Sequence, residues 1–257
     1  MAFSRYCKAR TETLPWPFMA KLVFDLETSA LPLENFDEVQ REYLFRDAEK
    51  IAGEPERLAR RAEIQRLFNL WPMTARVVCI AMLNAETSRG QALFIAEDHE
   101  ANSGEAGPVE FVACMDEAEL LTAFWDVAKH YDSVVTFNGR GFDVPFVYLR
   151  SALLNVPISR KDWLGYRFAT EPHCDLAEQF TFYGVSGREG AARRFNLDFY
   201  CKAFGIDSPK SHGVTGLDVN DLVAQGRGRE VAEYCLRDVE ATVRLYQIWR
   251  ERLAGIK

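Results

Sequence analysis

The alternation of apolar and polar positions divides this chain into short buried strands and longer amphipathic helices. "KLVFDLET", from Lys21, is an apolar run ending in acids and reads as a buried strand. From about Phe36 to Leu70 the chain is charged and favours helix, and Gly53 with Pro55 splits it into two helices. "ARVVCIAML" and "QALFIAE" read as two more strands, joined as a hairpin through "NAETSRG". "EANSGEAGPVEF" is a loop by composition. In "DEAELLTAFWDVAKHYD", Leu120, Leu121, Phe124, Val127 and Ala128 recur at helical spacing. "SVVTFN" is again a buried strand, and "DVPFVYLRSALLN" a helix with Asp143 near its start and Pro145 in its first turn. Beyond Pro172 the chain reads as mostly helical. It closes with a helix from about Arg229 to Leu253 that carries Val231, Cys235, Thr242, Leu245 and Trp249 along one side. This order predicts an α/β fold: a mixed central sheet, helices packed on it, and a helical insertion at about 36–70 after the first strand.

Composition narrows the class without naming a function. The 257 residues accommodate one sizeable domain with an insertion or two small ones. No boundary is marked, so one domain over residues 1–257 is expected. The chain is 48% hydrophobic and 27% charged, ordinary for a globular protein with a substantial core. No apolar run is long enough to span a bilayer, and the N-terminus lacks the apolar core of a secretory signal, so a cytoplasmic protein is expected. The six cysteines and four histidines are dispersed, with no zinc-ligand spacing. A net charge of −7 argues against coating nucleic acid by bulk electrostatics. It leaves room for a clustered set of acids whose sign a bound cation reverses locally.

Such a set is present. Asp25 and Glu27 alternate with Phe24 and Leu26, so the two acids point to one face of the strand and the two apolar residues to the other. Two carboxylates side by side at the end of a buried strand repel each other and are costly unless a cation neutralises them. Asp143 follows Gly139, Gly141 and Phe142 at a strand-to-helix junction, and taken alone it equally suits a helix cap. Tyr234 and Asp238, four apart, share one helix face; alone they suit a core aromatic beside a solvated acid. The joint occurrence of the three segments, in this order, is what carries information.

Together they resemble the DEDD superfamily of 3′–5′ exonucleases, which have an RNase H-like fold. Its Asp-x-Glu motif is matched by Asp25 and Glu27, its Asn-x-x-x-aromatic-Asp motif by Asn138, Phe142 and Asp143, and the Tyr-x-x-x-Asp motif of its tyrosine subclass by Tyr234 and Asp238. The histidine of the other subclass would stand where this chain has Glu233. "TFNGRGFDVPFVYLR" is especially similar to the proofreading exonuclease domain of family B DNA polymerases and to related stand-alone bacterial proteins.

The resemblance implies a 3′–5′ exonuclease that releases nucleoside monophosphates from nucleic acid with a free 3′ end, single-stranded DNA above all. It implies that Asp25, Glu27, Asp143 and Asp238 hold two Mg²⁺ or Mn²⁺ ions and that Tyr234 orients the attacking water. Glu27, with the backbone at Thr28 and Ser29, would meet the terminal 3′-hydroxyl, and Leu31 or Phe142 would stack on the end base. Asn138 would contact substrate or satisfy the loop backbone. Arg193 and Arg194, beside a Gly-rich loop, head the phosphate-contact candidates, with Arg140, Arg188, Lys202 and Lys210. A catalytically inactive nucleic-acid or protein binding module of the same fold, and an RNA-directed exonuclease, are the alternatives.

Overall fold

The computed structural model describes residues 20–97, 103–185, 190–207, 216 and 218–256. Among them, seven strands form one mixed sheet in the order β4-β5-β3-β2-β1-β6-β7. At its centre lie β1 (Lys21–Ala30) and β2 (Ala75–Asn84), paired antiparallel. Strand β2 is buried almost end to end, because helices cover both faces of the sheet. The hairpin read from the sequence is present: β3 (Gly90–Ile95) runs antiparallel to β2, and the Asn84 side chain accepts from the backbone N–H groups of Glu86 and Thr87 at 3.0 Å each. On the other side of β1, β6 (Ser133–Thr136) is parallel to it, and β7 (His173–Asp175) is parallel to β6.

The insertion is built as two helices, α1 (Glu38–Phe45) and α2 (Glu54–Arg66). Asp37 and Gln40 form a reciprocal capping box at the start of α1. Gly53 caps α2, and Pro55 sits in its first turn. Phe36, Phe45, Ala48, Ile64 and Phe68 give the pair a small core of its own.

Two main cores flank the sheet. On one face pack α3 (Glu117–Ala128) and α4 (Asp143–Leu153) against Leu22, Phe24 and Leu26. On the other pack α5 (Leu176–Gln179), α6 (Leu197–Ala203), α7 (Val219–Ala224) and the long α8 (Gly228–Arg252), against the face that carries Val23. All five residues read from the sequence as one side of the last helix are buried.

Two expectations need correction. The segment read as a loop holds, in its described part, β4 (Gly104–Ala106) and β5 (Val109–Cys114), with residues 98–102 outside the description. Gly107, at φ +61°, allows the tight turn between them, and β5 is long enough to pair in parallel with β3. The chain beyond Pro172 starts with β7, whose three residues are too few to show a period.

Candidate metal and nucleic-acid site

The site grows from the place where β1 outruns its neighbour. Strand β6 pairs with β1 only along Lys21–Val23 and then stops at Thr136. Past that point the β1 backbone has an open side, and the Leu26 N–H is taken by Asp143 Oδ1 at 3.2 Å. In an open sheet, the crevice at the carboxyl ends of neighbouring parallel strands whose connections diverge is where ligands bind. Here β1 leads to β2 on one side, and β6 leads to β7 on the other.

Asp143 reaches this position through a braced loop. Asp175, at the end of β7, accepts from the backbone N–H groups of Asn138 (2.8 Å) and Arg140 (2.9 Å) and also caps α5 through Ala177 N–H (3.0 Å). Thr136 Oγ1 accepts from Gly139 N–H at 3.1 Å and is hydrogen-bonded to His173 Nε2 at 2.8 Å. Asn138 takes the left-handed conformation, φ +70°. A Cβ on Gly139 would lie 2.4 Å from Thr136 Oγ1, so only glycine fits there. Asp143 is the first residue of α4 and is itself buried.

Asp25 and Glu27 face α8, which brings up Tyr234, Cys235 and Asp238. Ligand atoms of Asp25, Glu27 and Cys235 all lie within 4.8 Å of one another. Cys235 Sγ is 3.4 Å from the Asp25 carbonyl oxygen and 3.9 Å from Asp25 Oδ2.

The electrostatics are those of acids held close to one another. Burial first, then the charges of Asp143, Asp238 and Glu27, raises the Asp25 carboxyl well above its usual range. Burial, then Asp238 and Asp143, does the same to Glu27. Asp143 is raised to about 7 by burial, although the N–H groups of Asp143 itself and Leu26 stabilise its charged form. Tyr234 is pushed up by burial and by the negative charges of Asp238, Glu27 and Asp25.

No lysine or arginine among the described residues forms an ion pair with Asp25, Glu27 or Asp143. A divalent cation suits such a set: hard carboxylate oxygens held close enough to repel one another. Cys235 is the soft exception.

The remaining candidates fall into place as follows. Thr28 and Ser29 are buried beyond a register shift between Glu27 and Thr28, and the Thr28 hydroxyl donates to Asn69 O at 2.7 Å. Leu31 packs partly buried against the core of the insertion. Phe142 is half-buried, its ring 5.2 Å from that of Phe146. Arg194 is exposed and donates to Asn138 Oδ1; exposed Arg193 lies over the Phe195 ring at 5.1 Å. Arg140 pairs with Glu178 at 3.4 Å, and Lys202 with Asp198 at 3.0 Å. Arg188 and Lys210 lie outside the described residues.

Sequence reading missed Asp175, Thr136 and His173, which brace the loop, and Cys235 as a neighbour of Asp25. An aspartate immediately before a short helix reads as a cap, which Asp175 also is. Only the fold shows its other two partners.

Comparison with known proteins bears on the fold and the family. DNA polymerase 1 of Sulfolobus acidocaldarius is 27% identical over 178 residues, covering 66% of this chain and 19% of that protein. DNA polymerase 1 of Saccharolobus solfataricus is 31% identical over 136 residues, covering 50% of this chain and 15% of that protein. The chain therefore spans less than a fifth of these relatives. The family B DNA polymerase from the hyperthermophilic archaeon Pyrobaculum calidifontis aligns with 93% of this chain and 25% of its own at a TM-score of 0.55 and 19% identity, which establishes the fold. A family model matches residues 72–253, a span that holds Asn138, Asp143, Tyr234 and Asp238 and begins after Asp25 and Glu27. On that match the chain belongs to the family described as predicted 3′–5′ exonucleases related to the exonuclease domain of PolB.

Proposed function

We propose that this protein is a divalent-metal-dependent 3′–5′ exonuclease that releases nucleoside monophosphates from the 3′ end of single-stranded DNA. One observation carries the reading. Asp25 and Glu27 on β1 feel the charges of Asp143 at the start of α4 and of Asp238 on α8; burial with those charges raises the carboxyls of Asp25 and Glu27, and burial raises that of Asp143. Strongly perturbed carboxyls gathered in this way cluster at functional sites.

Asp25, Glu27, Asp143 and Asp238 would hold two Mg²⁺ or Mn²⁺ ions. Bound there, the ions supply Lewis-acid stabilisation of the charge that builds on the phosphate oxygens. Tyr234 keeps its proton at neutral pH, because its surroundings push its ionisation upward. Its hydroxyl is therefore a donor that orients the attacking water and is not the base. The Thr28 hydroxyl is already engaged with Asn69, so the backbone of Thr28 and Ser29 is what remains, with Glu27, to meet the terminal 3′-hydroxyl. Asn138, fixed by Asp175 and Arg194, faces the same end of the strand, and Phe142 or Leu31 would support the last base. The chemistry belongs in the cytoplasm, where such strands and ions are available.

A time course on 5′-labelled single-stranded DNA and RNA of matched sequence, with Mg²⁺, Mn²⁺ or EDTA, tests the proposal beside the Asp25→Ala protein. The expected result is a metal-dependent ladder that shortens from the 3′ end of DNA and is lost in the variant. Inert wild type on both strands overturns it in favour of a non-catalytic binding module.

A further inference from the structure

Beside the acid-bearing loop lies a surface that the proposed hydrolysis does not use. Tyr166, Phe168 and Phe199 are 75%, 55% and 53% exposed, a large apolar investment for a chain with substantial cores. Their rings are ordered against neighbours: Tyr166 meets Phe168 at 5.6 Å, Phe168 meets Tyr183 at 5.0 Å, and Phe199 stacks on Phe195 at 4.2 Å and 11°. Arginines are interleaved with them. Arg167 stands 5.9 Å over the Phe168 ring, and Arg193 5.1 Å over Phe195.

Both groups of rings are tied to the loop that delivers Asp143. Arg140 on that loop donates to Gly165 O at 3.3 Å and pairs with Glu178, which also holds Arg167 at 2.8 Å. Arg194, next to Arg193, donates to Asn138. Rings with an open face, set among guanidinium groups and continuous with a candidate 3′-end site, match the chemistry of a single strand: each base has a π-face and each linkage a negative charge.

We propose that the strip formed by Tyr166, Phe168 and Phe199 with Arg167 and Arg193 binds the body of a single-stranded nucleic acid, upstream of the nucleotide being removed. This rests on the exonuclease reading for its direction, and its test separates the two. Binding is measured by fluorescence anisotropy on the full chain carrying Asp143→Asn, with oligothymidylates of about 5 and about 20 nucleotides, lengths that bracket the span of one strand-binding surface.

The longer strand should bind more tightly, and Phe168→Ala with Phe199→Ala should each weaken it at least about fivefold, the low end for loss of one base–aromatic stack. Arg193→Glu, which removes no apolar surface, should lower the salt dependence of the long strand's binding. In the wild-type background, the same ring variants should raise KM for the long strand relative to that for the p-nitrophenyl ester of thymidine 5′-monophosphate. Length-independent binding, or ring variants that keep the full length dependence, overturns the strip and assigns these aromatics to a protein partner. Wild type that cleaves neither substrate overturns the exonuclease reading, while anisotropy still decides the strip.

Discussion

Two acidic sites on this sheet, one around buried Glu117 and one joining half-buried Asp25 and Glu27 to buried Asp143, are built in opposite ways. Glu117, at the start of α3, is buried with its counter-charge: Arg150 donates to it at 2.8 and 2.5 Å, and Val77 N–H at 2.7 Å. Arg150 is completed in turn by Pro72 O at 3.0 Å. Asp25, Glu27 and Asp143 are gathered with no lysine or arginine paired to them among the described residues; Asp143 is met by the neutral N–H groups of Leu26 and of Asp143 itself. A satisfied acid of the first kind holds structure together, and its removal is a stability event. Acids of the second kind destabilise the fold that holds them, and the proposed cation would relieve that cost. The same chain thus separates a structural carboxylate from candidate catalytic ones by whether the counter-charge is supplied from within.

This contrast breaks most sharply at Asp143. Asp143→Asn should reduce metal-dependent cleavage at least about a hundredfold, the scale of losing one preorganised electrostatic group. It should also make the metal-free protein more stable at pH 8, since it removes a charge that burial opposes. Cleavage at the wild-type rate would remove Asp143 from the site.

Arg150→Met tests the opposite side. Leaving Glu117 buried without its cation should cost about 3–5 kcal/mol in urea unfolding. A loss below about 1 kcal/mol would mean that the pair is as dispensable as a surface one.

The pH dependence sharpens the same point. Folding holds Asp143 protonated up to about 7, whereas an unfolded aspartate titrates near ~4. Between these values the folded chain binds more protons than the unfolded one. The contribution of this group is therefore full below about pH 4 and lost as pH rises through about 7. Asp25 and Glu27, also raised, act in the same direction. Buried His173, lowered to about 4, pulls the other way below about pH 6.5, so the difference between wild type and Asp143→Asn cancels it and reads the aspartate together with its effect on Asp25 and Glu27. In EDTA that difference should widen from pH 5 to pH 8, and Mn²⁺ should narrow it at pH 8; a flat difference in EDTA would count against acids held close to one another.

The smallest effect belongs to Tyr234. Tyr234→Phe should slow cleavage about tenfold, a modest share of what a positioned proton-transfer or orienting group supplies. Mn²⁺ affinity measured by calorimetry should stay within error of wild type. A comparable loss of Mn²⁺ binding would make the tyrosine part of the cation site.

The sequence by itself determined the repeating elements and the order of the motifs. Strand and helix periods are local, so β1, β2, β3, the two insertion helices, α3, α4 and α8 could be read from neighbouring residues. The shared face of Asp25 and Glu27, and that of Tyr234 and Asp238, follow from the same local geometry. Tertiary structure alone decided which faces meet. The bond from Leu26 to Asp143 spans 117 positions and the contact from Cys235 to Asp25 spans 210, and no period reaches that far. The brace by Asp175, the turn that frees β4 and β5 from the apparent loop, and the exposed rings of Tyr166, Phe168 and Phe199 were likewise invisible. Burial, the end of β6 and the approach of a distant helix are properties of packing, and packing is where a carboxylate acquires either a partner or a purpose.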